Sequence, residues 1–166
     1  ADHASLPIGA LLTSGTELRF VTATSTGALK CVELDIDHVH GAFHNVAISV
    51  DEGSAHIFVG TTDGGLQHFS AVCCEEFHTP KDVTLQGCPR ASVVVQFTCD
   101  PHVAVAACDK AVYVVTTAGQ TLRELTVSAS NVHRLVCHTI EGRFACLDAD
   151  TAVLKVANAF VQNEKN

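Results

Sequence analysis

Four stretches of the chain repeat one pattern: a short apolar strand, a tight polar turn and a second apolar strand. They are 18–32 (LRFVTATSTGALKCV), 56–69 (HIFVGTTDGGLQHF), 102–115 (HVAVAACDKAVYVV) and 143–156 (RFACLDADTAVLKV). Aligned on their turns, Leu29, Leu66, Val112 and Val153 fall at one position, at steps of 37, 46 and 41 residues. A period of about 40 residues made of hairpins predicts stacked antiparallel blades, each burying its apolar faces only against its neighbours.

The pattern extends upstream of each hairpin. Strand-like runs occupy 45–50 (NVAISV), 92–99 (SVVVQFTC) and 132–139 (VHRLVCHT), and more weakly 7–12. Asp51-Glu52-Gly53, Asp100-Pro101, Glu141-Gly142 and Ser14-Gly15 then link run to hairpin. Gly and Pro suit such turns because they supply a positive φ or one preset at about −65°. The segment 120–127 (QTLRELTV) predicts a fourth, outer strand for the third unit, and 82–86 (DVTLQ) one for the second. The equivalent stretch of the first unit, 37–43, is poorly formed. Val93, Val95 and Phe97 share one face of a strand and Val94, Gln96 and Thr98 the other, while 111–115 is apolar on both faces. Strands of that kind are covered on both sides. No 11-residue window carries helical spacing. The predicted fold is all-β, one domain over 1–161 with units near 7–43, 44–86, 92–127 and 132–160, followed by a polar tail at 162–166 (QNEKN).

Composition narrows the function. The chain has 166 residues, 47% of them hydrophobic, which suits one domain with a real core. The apolar residues are mainly Val, Ala and Leu, with one Tyr and no Trp, which predicts a core of small β-branched and aliphatic side chains. The net charge of −8 and the scattered basic residues argue against nucleic-acid binding. No apolar run reaches the roughly 18 residues that span a bilayer, and 1–12 (ADHASLPIGALL) lacks the basic and long apolar regions of a signal peptide. There is no Met: either an initiator was removed ahead of Ala1, or the sequence is a piece of something longer. Five of the eight cysteines (Cys31, Cys99, Cys108, Cys137 and Cys146) sit inside strand-like runs. They read as reduced, buried small side chains of a cytoplasmic protein, with nuclear or ciliary settings as alternatives.

The segment 58–69 (FVGTTDGGLQHF) resembles the second-strand, Asp-Gly-turn, third-strand part of a WD-repeat β-propeller, and Thr26-Gly27 and Asp150-Thr151 occupy the same turn in other units. AVAACDKAVYVV followed by AGQTLREL is similar to the divergent propellers of vesicle-tethering and intraflagellar-transport proteins. The resemblance covers roughly 7–159. It departs from the family in having no Trp-Asp and no Gly-His dipeptide. It implies propeller blades and a scaffold role, with no catalytic residue to carry over. Four units leave three architectures open: a closed four-bladed ring, two chains paired into an eight-bladed ring, or half of a propeller completed by another segment or subunit.

Candidate chemistry is sparse. Cys73, Cys74, His78 and Cys88 place thiolate and imidazole ligands in one loop-like segment, a zinc-binding possibility, although the spacing is not a standard one. The run His38, His40 and His44 could hold a transition metal or sense pH, or simply lie in a solvated loop. No signature selects a Cys–His catalytic pair, and Cys137 and His138, being neighbours in a strand, point to opposite faces. Gly60, Gly64 and Gly65 lie in a hairpin and serve turns rather than a phosphate loop. Asp51, Glu52, Asp63, Asp100, Asp109, Asp148 and Asp150 all fall in turns. There they either cap their own backbone or form acidic rims that select a basic partner segment. The expected function is a non-enzymatic scaffold for protein–protein interaction within a larger assembly. Its partners are other proteins, with self-association or a second completing segment possible, and neither nucleic acid nor membrane insertion is expected. The alternative is a zinc-binding regulatory domain using Cys73, Cys74, His78 and Cys88.

Overall fold

The computed structural model describes residues 9–14, 17–23, 27–34, 42–51, 54–72, 76–86, 88, 92–108, 111–125, 132–137, 142–148, 152 and 154–160. These form fifteen strands in four antiparallel sheets, an all-β fold. The first sheet runs β1 (Gly9–Ser14), β2 (Glu17–Ala23), β3 (Leu29–Leu34). The second is β4 (Phe43–Asp51), β5 (Ser54–Thr61) and β6 (Leu66–Val72), with the short pieces β7 (Glu76–Phe77) and β8 (Lys81–Asp82) both paired to β6. The third is β9 (Val93–Phe97), β10 (Val103–Cys108), β11 (Ala111–Thr116) and β12 (Thr121–Leu125). The fourth is β13 (Val132–Cys137), β14 (Arg143–Asp148) and β15 (Leu154–Asn158).

Because successive strand residues face opposite ways, each sequence position chooses which neighbouring sheet it meets. Leu18 and Phe20 of β2 pack with Ile57 and Val59 of β5, joining the first sheet to the second. One residue along, Phe58 of β5 joins Val93, Val95 and Phe97 of β9 and Ala104 and Ala106 of β10, closing the second seam. Val103, Val105 and Ala107, on the other face of β10, meet Phe144 and Cys146 of β14 in the third seam. The third sheet is therefore buried on both sides, which is why β10 is apolar at every position.

Polar groups tie the same seams. Asn45 Oδ1 accepts the Val95 N–H across the second seam at 2.8 Å, and the Tyr113 hydroxyl donates to the Gln86 carbonyl at 2.7 Å. Phe20 and Phe77 meet edge-on with centroids 5.0 Å apart at the first seam. In the 62–65 turn Gly64 adopts φ 93°, a left-handed conformation that a side chain would oppose. The Gly65 N–H donates to Thr61 Oγ1 at 2.9 Å to close that turn.

The outer strand of the second sheet differs from the one expected at 82–86. It is split into β7 and β8, separated by 78–80. Pro80 has no N–H to offer a ladder, so continuous pairing stops there. The Val83 N–H still donates to the Leu66 carbonyl at 2.8 Å, while Val83 and Leu85 bury themselves in the second seam, at 4% and 8% exposure. A second difference concerns the cysteines. Cys88 and Cys108 are joined as a disulfide, whereas a thiol was expected at both; their Cα atoms lie 6.2 Å apart, within bridging reach.

Gly60 packs tightly against the next sheet: a Cβ there would collide with the carbonyl of Val93 across the second seam. Gly60→Ala is expected to cost about 1–3 kcal/mol and lower the thermal midpoint by roughly 2–4 °C per kcal/mol. A calorimetric scan checks this, and an unchanged midpoint would contradict the close packing of β5 on β9.

Candidate functional site

Antiparallel connection sends the first turn of each sheet to one end of its middle strand and the second turn to the other, so the turns gather at two rims. Asp51 ends β4 and Asp100 lies between β9 and β10, both at the first rim, whereas Asp63 lies between β5 and β6 at the second. Asp100 Oδ1 accepts the His102 N–H at 2.8 Å, and Asp63 Oδ1 accepts from the Thr61 hydroxyl at 3.3 Å. Asp100 thus caps the backbone of its own turn, whereas Asp63 pairs with a side chain of its turn; both carboxylates are half-buried. Asp148 ends β14 in register with Val132. Glu52, Asp109 and Asp150 lie outside the described residues, as do Cys73, Cys74, His38 and His40. His44 is exposed on β4. His78 is exposed, and its N–H donates to the Ser70 carbonyl at 2.8 Å. Cys88, in its disulfide, presents no thiolate. Among the described residues, no group of three or more His, Cys, Asp or Glu is placed to hold a metal ion.

A histidine cluster that sequence reading missed sits at the first rim of the second seam. His56 on β5 and His68 on β6 are diagonal neighbours, since His56 pairs with Ser70 and Phe58 with His68. Their rings stack with centroids 5.4 Å apart, and His56 Nδ1 lies 3.2 Å from His68 Nε2, so one imidazole can donate to the other. His102, from the turn before β10, meets His56 edge-on at 5.2 Å. The hairpin spacing of His56 and His68 was available as a signal; the approach of His102 depends on the seam and was not. His68 is buried at 3% exposure against Phe58. Burial first, then the charges of His56 and Lys81, lower its pKa from 6.5 to about 4.

The end sheets expose one face each. On the fourth sheet, Val136, Ala145 and Val156 form one cross-strand row and Leu147 and Leu154 the next. Val136, Leu154 and Val156 are 65%, 61% and 67% exposed, an apolar face unlike that of a solvated sheet. Arg143 and Asn158 form the adjoining row, at the first rim. On the first sheet, the outward rows pair Val21 with Cys31 and Arg19 with Glu33. Arg19 contacts Glu17 at 2.9 Å and Glu33 at 4.0 Å, and Leu29 is 75% exposed at the second rim. Among the described residues, no strand of the fourth sheet makes extended contact with the first. No helix among them is long and apolar enough to cross a membrane.

No protein-family model and no curated protein sequence matches the chain. Solved structures do. Hsv2 of Kluyveromyces lactis aligns at 12% identity and a TM-score of 0.65, over 94% of this chain and 48% of that one. The crystal structure of Hsv2 of Kluyvelomyces marxianus aligns at 12% identity and a TM-score of 0.59, over 95% and 46%. These are β-propeller proteins, and the likeness shows a β-propeller-like fold. The chain spans about half the length of the solved structures it matches.

The histidine cluster sets a pH dependence. The folded pKa of His68 lies below the unfolded value, so the folded state binds fewer protons. Its stabilising contribution is therefore complete above pH 6.5 and is lost as pH falls toward about 4. The loss over that window is on the order of 1–3 kcal/mol once solvent screening is allowed for. Denaturant titrations at successive pH values should show it, and His68→Phe should flatten the curve; an equally steep curve in the variant would contradict the assignment.

Proposed function

We propose that the chain is a non-enzymatic protein-interaction scaffold with WD-repeat-like blades, and that other proteins engage it through the open face of the fourth sheet. The observation that carries this reading is the exposure of Val136, Leu154 and Val156 on one sheet face. Leaving such a patch in water forgoes about 25 cal/mol for each Å² that a partner could cover. The acidic balance of 18 Asp and Glu against 10 Lys and Arg favours protein partners over nucleic acid. A cytoplasmic setting belongs to the same reading. The exposed thiols of Cys31 and Cys99 suit a reducing milieu, while the Cys88–Cys108 bridge is the feature that speaks for an oxidising one.

A photo-crosslinking amino acid at Leu154, with Thr79 as an exposed control, tests the reading in extracts of cells that express the chain. Protein adducts at position 154, with this chain or another, and none at position 79 are the expected result. No adduct at either position would contradict it.

A further inference from the structure

The two outward end faces match each other in polarity. Both are apolar toward the second rim, Leu154 and Val156 on the fourth sheet and Leu29 and Cys31 on the first. Toward the first rim both turn charged, with Arg143 on the fourth sheet and Glu33 beside Glu17 on the first. Among the described side chains, the first-sheet group carries two carboxylates for its one guanidinium, whereas the charged group on the outward rows of the fourth is Arg143, so these groups are opposite in sign.

Within the chain, each sheet already stacks on the next in one repeated manner, through three successive seams. Laying a further first sheet on the fourth in that same manner keeps like rims together. Row then meets row: Leu154 faces Leu29, Val156 faces Cys31, and Arg143 faces Glu33. A face-to-face pairing of two fourth sheets would cover the apolar rows as well, but it would not use the carboxylates. The chain's fold also corresponds to 48% and 46% of two larger propellers, an arc of about half a ring.

We propose that the occupant of the fourth-sheet face is the first sheet of a second copy, packed head to tail. Two copies related by a two-fold axis along the ring then close an eight-bladed propeller through two identical seams. This rests on the reading of that face as an interaction surface and names its partner.

Light scattering on the purified chain across micromolar concentrations tests it, together with cross-linking of Val156→Cys in a Cys99→Ser background under mild oxidation. The expected result is a species of twice 17.5 kDa and a disulfide-linked dimer that disappears when Cys31→Ser is added. Arg143→Glu and Glu33→Lys should each weaken the dimer about tenfold, because each change acts at both seams, and the double variant should restore it. A dimer cross-linked without Cys31 would overturn the head-to-tail arrangement in favour of the face-to-face one. A monomer at every concentration would overturn self-association altogether. Adducts to other proteins at position 154 would in that case leave the scaffold reading standing, while their absence would remove both.

Discussion

Strands that are apolar on both faces are the constraint on which this architecture depends. A sheet buried on one side needs only one cover, but β10 offers Val103, Val105 and Ala107 to one neighbour and Ala104, Ala106 and Cys108 to the other. Such a strand is stable only between two sheets, and each of those sheets then meets the same requirement in turn. β5 repeats the arrangement, with Ile57 and Val59 facing one way and Phe58 the other. Among the described residues the stack built by this rule extends over four sheets.

What remains at the two ends follows from the same rule and is unequal. The first sheet turns Arg19, Glu17 and Glu33 outward, one guanidinium between two carboxylates. The fourth turns out Val136, Leu154 and Val156, which water does not favour. Side-chain chemistry thus gives one end a charged row with an apolar margin and the other a largely apolar face.

Much of the blade pattern was legible because period-two alternation is a local property. The two faces assigned to Val93, Val95 and Phe97 and to Val94 are the two seams they enter, and 111–115 is buried on both sides. The outer strand of the third sheet was legible for the same reason, as β12 pairs with β11. Local pattern failed where tertiary packing decides. Val83 and Leu85 read as outer-strand residues, yet regular pairing ends at β8 and both are packed into the second seam. The Cys88–Cys108 bridge and the approach of His102 to His56 join segments brought together only by the stacking of blades. Cys and His are densest in the sequence at 73–88 and 38–44, whereas the histidine cluster of the structure is assembled from two strands and a turn that are separate in sequence.

Amide hydrogen exchange on protein diluted until light scattering shows only the monomer, resolved by sheet, tests the stacking rule most directly. Strands covered on both faces should open only with global unfolding, whereas an end sheet held by one seam should open at lower free energy. The account predicts the slowest exchange in β9–β11, intermediate exchange in β5 and β6, and the fastest in the paired amides of β14 and β15. Protection in β14 and β15 equal to that in β10 would mean that the fourth sheet is covered within a single chain, and would contradict an open stack of four blades.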